Sequence, residues 1–411
     1  MKKSKYNYIF KNKEKYILFN TVSGSVVVLN KEFYYRFKQG TLSETEIQTL
    51  AQLGFLVENN VKELNRILDK NFENFANQDT KIYTICPTTQ CNARCFYCFE
   101  HGKQHFTMTK EIAEQVINFI KDDTKKSGAK NVCLSWFGGE PLLETEIIDF
   151  ITTSLLNDDE FIKNINFEAK ITTNGILIDE KVLNKLIDWK ISTIQITLDG
   201  FKKEYERRKA YINEKNAFEK IISIIKQVSE KKIYVKIRLN FDNMNFDSIN
   251  ELINYLSFEL TENQRKFIKI YPAKLENTQK CTMCNSHCDK NYVKLLKQLH
   301  KNNLSLPFEQ LNLKYRFAHC LAESQFSYVI GADGNLYKCN EAVDDKQHSV
   351  GNVFDGVIKE ILNRQIDSKC KRCKFFPICQ GGCFIRENKT DSCAKCQIEK
   401  FIISDILKLY T

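Results

Sequence analysis

The pattern of hydrophobic and polar positions divides the chain into three parts. Between residues 80 and 270, short runs rich in valine and isoleucine alternate with segments whose apolar residues recur at helical spacing. The apolar runs predict six buried parallel strands, at 82–86, 131–136, 167–172, 191–197, 232–239 and 266–271. The segments between them predict crossover helices at 109–122, 144–156, 179–188, 216–229 and 246–257.

This alternation predicts an α/β fold with a parallel sheet. A closed eight-stranded β/α barrel usually needs roughly 250 residues, so six units in 80–270 favour a partial, TIM-like barrel. In such a barrel the chemistry lies in the loops that follow the carboxyl ends of the strands. Reactive side chains are therefore expected in these loops.

The two flanking parts have different patterns. Residues 1–75 contain β-rich runs and then a helix that Ser43 would cap, with Glu46 completing a capping box and Gly54 ending it, which predicts a small winged-helix-like module. Residues 271–411 are rich in loops and show little periodicity. Such a segment needs staples other than apolar burial, and its cysteines could supply them.

Composition narrows the function class. The chain of 411 residues is 43% hydrophobic and 27% charged, which is ordinary for a globular protein and argues against disorder. Its net charge of +10 is spread along the sequence and requires no nucleic-acid partner. Lysines interrupt the first 16 residues, and no apolar run reaches about 18 residues, so we expect no signal peptide, no membrane span and a cytoplasmic location.

Sixteen cysteines in a reducing compartment indicate metal rather than disulfides. Cys91, Cys95 and Cys98 have the spacing C-x3-C-x2-C, and they begin five residues after the first predicted strand. Three thiolates can hold three corners of a cubane cluster and leave one iron open. The alternative is a zinc site with Cys86 as fourth ligand, although Cys86 lies on the strand itself and precedes a proline.

Further motifs follow the next strands in order. WFGGEPLL, from Trp136 to Leu143, follows the second strand; TTNG, from Thr172 to Gly175, follows the third; and QITLDG, from Gln195 to Gly200, follows the fourth. Together with the cysteine triad and the aromatic Tyr97 inside it, this order resembles the radical SAM superfamily.

The resemblance implies a chemistry and a set of cofactor contacts. The triad would hold a [4Fe–4S] cluster that chelates S-adenosylmethionine, and one-electron cleavage would give a 5′-deoxyadenosyl radical that abstracts hydrogen. The implied cofactor-binding residues are Tyr97, Gly138, Gly139, Glu140, Thr173, Asn174, Gln195, Arg208 and Arg238. Of these, the glycines would let the backbone approach the methionine moiety, Glu140 would accept a hydrogen bond from its ammonium group, and the arginines would supply a cation to its carboxylate. For the two arginines, a solvated surface position is an equal alternative.

The last 92 residues hold eight cysteines. Their pattern, C-x13-G-x4-C followed by C-x2-C-x5-C-x3-C and a further cysteine, resembles the SPASM domain, which carries two auxiliary [4Fe–4S] clusters. The resemblance assigns Cys320, Cys339 and Cys383 to the first cluster, and Cys370, Cys373, Cys379 and Cys396 to the second, with Cys393 as alternate. A zinc ribbon is the competing interpretation of these spacings.

The remaining cysteines divide into two groups. Cys281, Cys284 and Cys288 could complete the first auxiliary cluster, form a separate metal site, or leave that cluster open to substrate. Cys133 lies in an apolar strand, and we expect it and Cys86 to be buried core residues.

The combination of parts suggests a substrate. The module at 1–75 resembles the elements that capture leader peptides as an added strand, and the whole chain resembles peptide maturases that form thioether links. This resemblance implies a precursor peptide with a leader, and a reduced flavodoxin or ferredoxin as electron donor. Alternatives are a sulfatase-type formylglycine-forming maturase, a carbon–carbon crosslinking enzyme, and a multi-cluster electron carrier or zinc-ribbon binding protein.

Overall fold

The structure is a computed structural model that describes residues 1–76, 78–100, 105–275, 287–311, 313–318, 320–358, 366–383 and 398–411. The chain forms two compact units. The terminal unit comprises Met1–Asn77, Pro307–Ser324 and Leu362–Thr411, and the barrel unit comprises Gln78–Leu306 and Gln325–Ile361. The segment predicted as one C-terminal part, 271–411, is thus shared between the two units.

The N-terminal part of the terminal unit contains five strands and three helices. They are β1 (Lys2–Lys3), β2 (Asn7–Asn12), β3 (Lys15–Asn20), β4 (Val26–Leu29), α1 (Lys31–Gln39), α2 (Glu44–Gln52), β5 (Leu56–Val57) and α3 (Glu63–Ala76). Strands β2, β3 and β4 form an antiparallel sheet, and β1 pairs with β5. Leu18, Phe37 and Phe55 are buried in its core. The predicted capping box is present, since Ser43 and Glu46 bond reciprocally at the start of α2.

The barrel unit contains ten strands and nine α-helices among its described residues. Its strands are β6 (Thr80–Ile85), β7 (Asn131–Trp136), β8 (Asn166–Thr172), β9 (Ile191–Leu198), β10 (Tyr234–Phe241), β11 (Ile268–Lys274), β12 (Ser327–Ile330), β13 (Asn335–Tyr337), β14 (Gly351–Asn352) and β15 (Gly356–Val357). Its helices are α4 (Lys110–Ser127), α5 (Thr145–Leu156), α6 (Asp159–Ile162), α7 (Glu180–Asp188), α8 (Lys202–Lys209), α9 (Ala217–Glu230), α10 (Phe246–Glu259), α11 (Glu262–Arg265) and α12 (His287–Lys301).

The ten strands make one sheet in the order β11-β10-β9-β8-β7-β6-β12-β13-β14-β15. Strands β6 to β11 are parallel, and consecutive strands are neighbours. Since crossovers between parallel strands are right-handed, this order places the connecting helices on one face of the sheet. The predicted six-unit α/β half-barrel is confirmed, with each strand boundary within two or three residues of its predicted position.

The sequence interpretation missed four of the ten strands of this sheet. Strand β12 pairs in parallel with β6, and β13, β14 and β15 follow as antiparallel neighbours. These strands have two to four residues each, so they are too short for a clear alternation of polar and apolar positions. The expectation that 271–411 is rich in loops did not include these four short strands.

In the C-terminal part of the terminal unit, the described residues form three helices, α13 (Ser368–Lys371), α14 (Phe376–Cys379) and α15 (Ile398–Tyr410). Phe376 of α14 is fully buried with Tyr6 and Ile67 in one apolar cluster. Thr21 Oγ1 donates to the carbonyl of Lys374 at 2.5 Å. The N-terminal module and the 366–383 segment thus share a core within this unit. Across the described residues, no helix is both long enough and apolar enough to span a membrane.

Candidate functional site

The loop after β6 carries the three cysteines of the C-x3-C-x2-C motif. Its backbone is tied to the end of α8, because the N–H of Arg94 donates to the carbonyl of Lys209 at 2.9 Å. A second tie runs from the N–H of Ile212 to the carbonyl of Asn92 at 2.8 Å. These bonds hold the cysteine loop in place at the carboxyl end of the first barrel strand.

The thiols of this loop are partly buried, and burial changes their acidity. Desolvation raises the pKa of Cys91 to about 12 and also raises the pKa of Cys95 and Cys98 above the ordinary range. A thiolate is therefore costly here unless a cation stabilises it. Iron would supply that charge, so three thiols on one anchored loop fit a cluster with three cysteine ligands.

The zinc alternative requires several ligand side chains to converge on one metal ion. Among the residues that the structure describes, no three His, Cys, Asp or Glu side chains converge as one ion would require. Cys86, the fourth ligand of the zinc alternative, is fully buried, and its thiol donates to the carbonyl of Thr88 at 3.3 Å. Cys133 is 3% exposed, so both cysteines expected in the core are buried.

The GGE motif forms the wall beside the cysteine loop. The N–H of Gly139 donates to the carbonyl of Thr88 at 3.0 Å, and the N–H of Glu140 donates to the carbonyl of Gln90 at 2.8 Å. A Cβ on Gly139 would lie 2.2 Å from the Gln90 carbonyl oxygen, and one on Gly138, whose φ is +130°, would lie 2.3 Å from that of Thr88. Both glycines are thus needed because the GGE segment packs closely against the loop after β6. The prediction from the sequence had explained them only by the approach of the cofactor.

Glu140 links the ends of β7 and β8. Its carboxylate accepts hydrogen bonds from Thr173 Oγ1 at 2.6 Å and from the N–H of Asn174 at 2.8 Å. Asn174 Nδ2 in turn donates to Asn92 Oδ1 in the cysteine loop at 2.7 Å. Burial raises the pKa of Glu140, and these donors act in the opposite direction. The structure therefore brings Glu140, Thr173 and Asn174 together beside the cysteine loop.

A buried charged group next to the triad was not among the predicted site residues. Lys209 Nζ lies 3.1 Å from Asp199 Oδ2 and donates to Tyr97 OH at 3.2 Å, and Tyr97 OH donates to the same Asp199 oxygen at 2.7 Å. Lys209 is 4% exposed and Asp199 is fully buried. The ammonium group acts to lower the pKa of Cys95 and Cys98 against the effect of burial.

The other predicted contacts have protein partners of their own. The Arg208 guanidinium is buried and donates to both carboxylate oxygens of Asp242, at 3.0 and 2.9 Å, so its charge is already engaged. The Arg208 guanidinium also lies 5.1 Å from the centre of the Phe96 ring in the cysteine loop. Gln195 Oε1 accepts from Tyr271 OH at 2.7 Å, and Arg238 Nε donates to Asn240 Oδ1 at 2.8 Å. A cofactor role for these three residues stays a prediction.

The auxiliary cysteines are only partly described. Cys320, Cys370, Cys373, Cys379 and Cys383 belong to the terminal unit, and all of them have some exposure. Cys339 belongs to the barrel unit, where it packs against a cluster that contains Cys86 and Val329. The structure does not describe the side chains of the last group, Cys281, Cys284, Cys288, Cys393 and Cys396. The assignment of ligands to two auxiliary clusters stays a prediction.

Comparison with known proteins agrees with this geometry. Residues 85–256 match the model of the Radical SAM superfamily. The cysteine-type anaerobic sulfatase-maturating enzyme of Clostridium novyi (strain NT) is 25% identical over 338 residues, which cover 74% of this chain and 86% of that protein.

Two solved structures share the fold over most of the chain. The enzyme anSMEcpe with bound AdoMet and Kp18Cys peptide has a TM-score of 0.62 at 21% identity, covering 80% of this chain and 96% of that one. Streptococcus suis SuiB bound to precursor peptide SuiA has a TM-score of 0.56 at 16% identity, covering 96% of this chain and 99% of that one. The predicted resemblance to the radical SAM superfamily is confirmed: residues 85–256 form a radical SAM domain, in a chain homologous to anaerobic sulfatase-maturating enzymes.

Proposed function

We propose that this chain is a radical SAM peptide maturase that installs a thioether crosslink, from a cysteine sulfur to a carbon, in a ribosomally made precursor peptide. The observation that supports a precursor peptide as substrate is the extent of the shared fold, and the thioether product rests on the resemblance of the motifs. SuiB, crystallised with a precursor peptide, matches 96% of this chain, whereas anSMEcpe matches 80%. A match over 96% must include most of the N-terminal module.

The cofactor site would be built from the residues beside the cysteine loop. Cys91, Cys95 and Cys98 would hold a [4Fe–4S] cluster, and the Gly138–Glu140 segment would help to hold S-adenosylmethionine. When bound, these cofactors supply a 5′-deoxyadenosyl radical, which removes a hydrogen atom from an unactivated carbon. The chain's own residues position the site: Glu140 ties the ends of two strands together, and Lys209 places a buried positive charge beside the loop.

The terminal unit supports a peptide substrate. Its edge strand β4 has a half-exposed face, with Val28 at 42% exposure, and an extended peptide could add to it as a strand. In the same unit, the Tyr8 ring lies 5.1 Å from that of Phe375, and Asn71 Nδ2 donates to Gln380 Oε1 at 2.8 Å. A leader captured here would lie on the same folded unit as the Cys370–Cys383 segment, which we propose holds auxiliary cluster ligands.

A second candidate function is formylglycine formation, and the sequence relatives favour it. The two activities leave different products. Formation of a thioether removes two hydrogen atoms from the peptide. The sulfur is retained, but it no longer reacts with iodoacetamide. A formylglycine loses the sulfur and gains oxygen. A carbon–carbon crosslink also removes two hydrogen atoms but leaves the thiol reactive.

The test uses the reconstituted, reduced holoenzyme with S-adenosylmethionine and a cysteine-bearing precursor peptide, chosen from short reading frames found beside this gene. Mass spectrometry of the product, before and after iodoacetamide, separates the three outcomes. The proposal predicts a peptide lighter by two hydrogen atoms with one cysteine protected from alkylation. Loss of sulfur would establish the sulfatase-type alternative instead.

A further inference from the structure

The inner face of the half-barrel carries four cationic side chains, Lys170, Lys236, Arg238 and Lys269, which we call the inner cationic patch. In each strand the residues on either side of a patch residue are buried in the core on the helical side. Ile237, between Lys236 and Arg238, is fully buried, and Ala169 and Ile171 flank Lys170 in the same way. Since successive side chains of a strand point to opposite faces, the patch lies on the face away from the helices.

The register of the strands brings these residues together. Lys236 on β10 pairs with Lys269 on β11 and with Gln195 on β9. Lys170 on β8 and Tyr234 on β10 both pair with Thr193 on β9, so they are at the same level of the sheet. Lys236 lies two residues further along β10 than Tyr234, and it is therefore diagonal to Lys170. Partial burial lowers the pKa of Lys236, and the positive charges of Lys170 and Lys269 lower it further. The ammonium groups are therefore close enough to repel one another.

The patch contains more cations than carboxylates. Lys170 Nζ lies 2.6 Å from Glu168 Oε1, and the other oxygen of Glu168 accepts from Ser192 Oγ at 3.2 Å. Among the described residues, neither Lys236 nor Lys269 has an ion-pair partner, and the Lys269 ammonium lies 5.4 Å from the centre of the Tyr234 ring. Arg238 donates through Nε to a neutral amide. Four cations against Glu168 leave a net charge of 4 − 1 = +3.

The position of the patch relates it to the site beside the cysteine loop. Lys170 lies on β8, and Asn174 follows it four residues later, just after the end of that strand. Asn174 is the residue that bonds to the cysteine loop. At about 3.3 Å per residue, Lys170 lies about 13 Å from Asn174 along the direction of the strand. An extended peptide covers this distance with about four residues.

We propose that the inner cationic patch binds a carboxylate of the substrate peptide, located about four residues from the residue that is modified. This inference rests on the proposed function and adds the class of substrate: an acidic peptide segment. The carboxylate could belong to an Asp or Glu side chain or to the peptide's C-terminus, and both would meet the same lysines.

The test measures binding of synthetic peptides to the holoenzyme by fluorescence anisotropy. All peptides contain one cysteine. In the first set, Glu or Gln stands four residues before or four residues after that cysteine. In the second set, the peptide ends four residues after the cysteine, either as a free acid or as an amide. Wild-type protein should bind the matching acid about tenfold more tightly than its neutral partner. Lys236→Met should abolish that preference, and the control Lys181→Met, at an exposed helix position, should retain it.

The outcomes separate this inference from the proposed function. Preference for Glu or for the free C-terminus identifies the source of the carboxylate. Equal binding of acidic and neutral peptides, absence of binding by all of them, or an equal loss for both forms in Lys236→Met would overturn the inference. Release of 5′-deoxyadenosine from S-adenosylmethionine by the same wild-type preparation tests the proposed function independently, because it needs no peptide carboxylate.

Discussion

The ion pair between Arg208 and Asp242 offers a quantitative test of how the barrel unit is held together. Arg208 is 1% exposed and donates twice to Asp242 and once to Glu204. Asp242 is 4% exposed and also accepts from the N–H groups of Met244 and Asn245. In Asp242→Asn the backbone donors keep an acceptor, but the buried guanidinium loses its bidentate partner.

Removing one member of a buried pair costs about 3–5 kcal/mol, and we expect the lower end, about 3 kcal/mol, because Glu204 remains. The chain has two tryptophans, Trp136 and Trp189, and both are fully buried in the barrel unit. Tryptophan fluorescence in a urea titration therefore reports the unfolding of this unit. Asp242→Asn should lower the midpoint and leave the slope unchanged.

Two further variants make the prediction specific. The double variant Arg208→Met with Asp242→Asn should recover most of the lost stability, since it removes the unpaired guanidinium while the Asn oxygen still accepts from the N–H groups of Met244 and Asn245. Lys220→Met removes the exposed ion pair with Glu214, at 2.7 Å, and should cost less than about 1 kcal/mol. If Asp242→Asn costs no more than Lys220→Met, the buried pair does not have the role assigned to it.

Three further predictions concern the site. Gly139→Ala should reduce the iron incorporated on reconstitution, since its Cβ would overlap the Gln90 carbonyl, whereas Gly128→Ala, whose Cβ meets nothing within 4 Å, should keep normal iron content; equal iron in both would contradict this. Lys209→Met should lower the midpoint potential of the cluster in an EPR-monitored redox titration, because reduction loses a nearby positive charge, and an unchanged potential would count against that role. Glu140→Gln should weaken S-adenosylmethionine binding about tenfold by equilibrium dialysis, because the carboxylate accepts two short hydrogen bonds that an amide cannot both accept; unaltered affinity would disprove this.

The partial barrel was predictable because its strands are short runs rich in Val and Ile, separated by segments with helical spacing. The capping box at Ser43 was predictable because capping depends on residues three apart in sequence. The short strands between 327 and 357 were not, since pairing with β6 is a long-range interaction that leaves little periodicity in four residues.

The site shows the same division between local and long-range information. The cysteine triad and the order of motifs are local and were found. The role of Lys209 was not found, because neighbouring residues on a helix point about 100° apart and only packing shows where each one lies. Lys209 bonds to Tyr97 of the cysteine loop, and Arg208 pairs with Asp242 and also lies over Phe96 of that loop. The LDG segment of the fourth strand contains Asp199, the ion-pair partner of Lys209, and this carboxylate could have pointed to a buried cation.

The central claim is that Cys91, Cys95 and Cys98 support radical cleavage of S-adenosylmethionine. Its most direct test is the release of 5′-deoxyadenosine by the reconstituted, reduced protein under anaerobic conditions, followed by chromatography. The account predicts release by the wild-type chain and none by the variant in which all three cysteines are alanine. Equal release by the triple variant would contradict it.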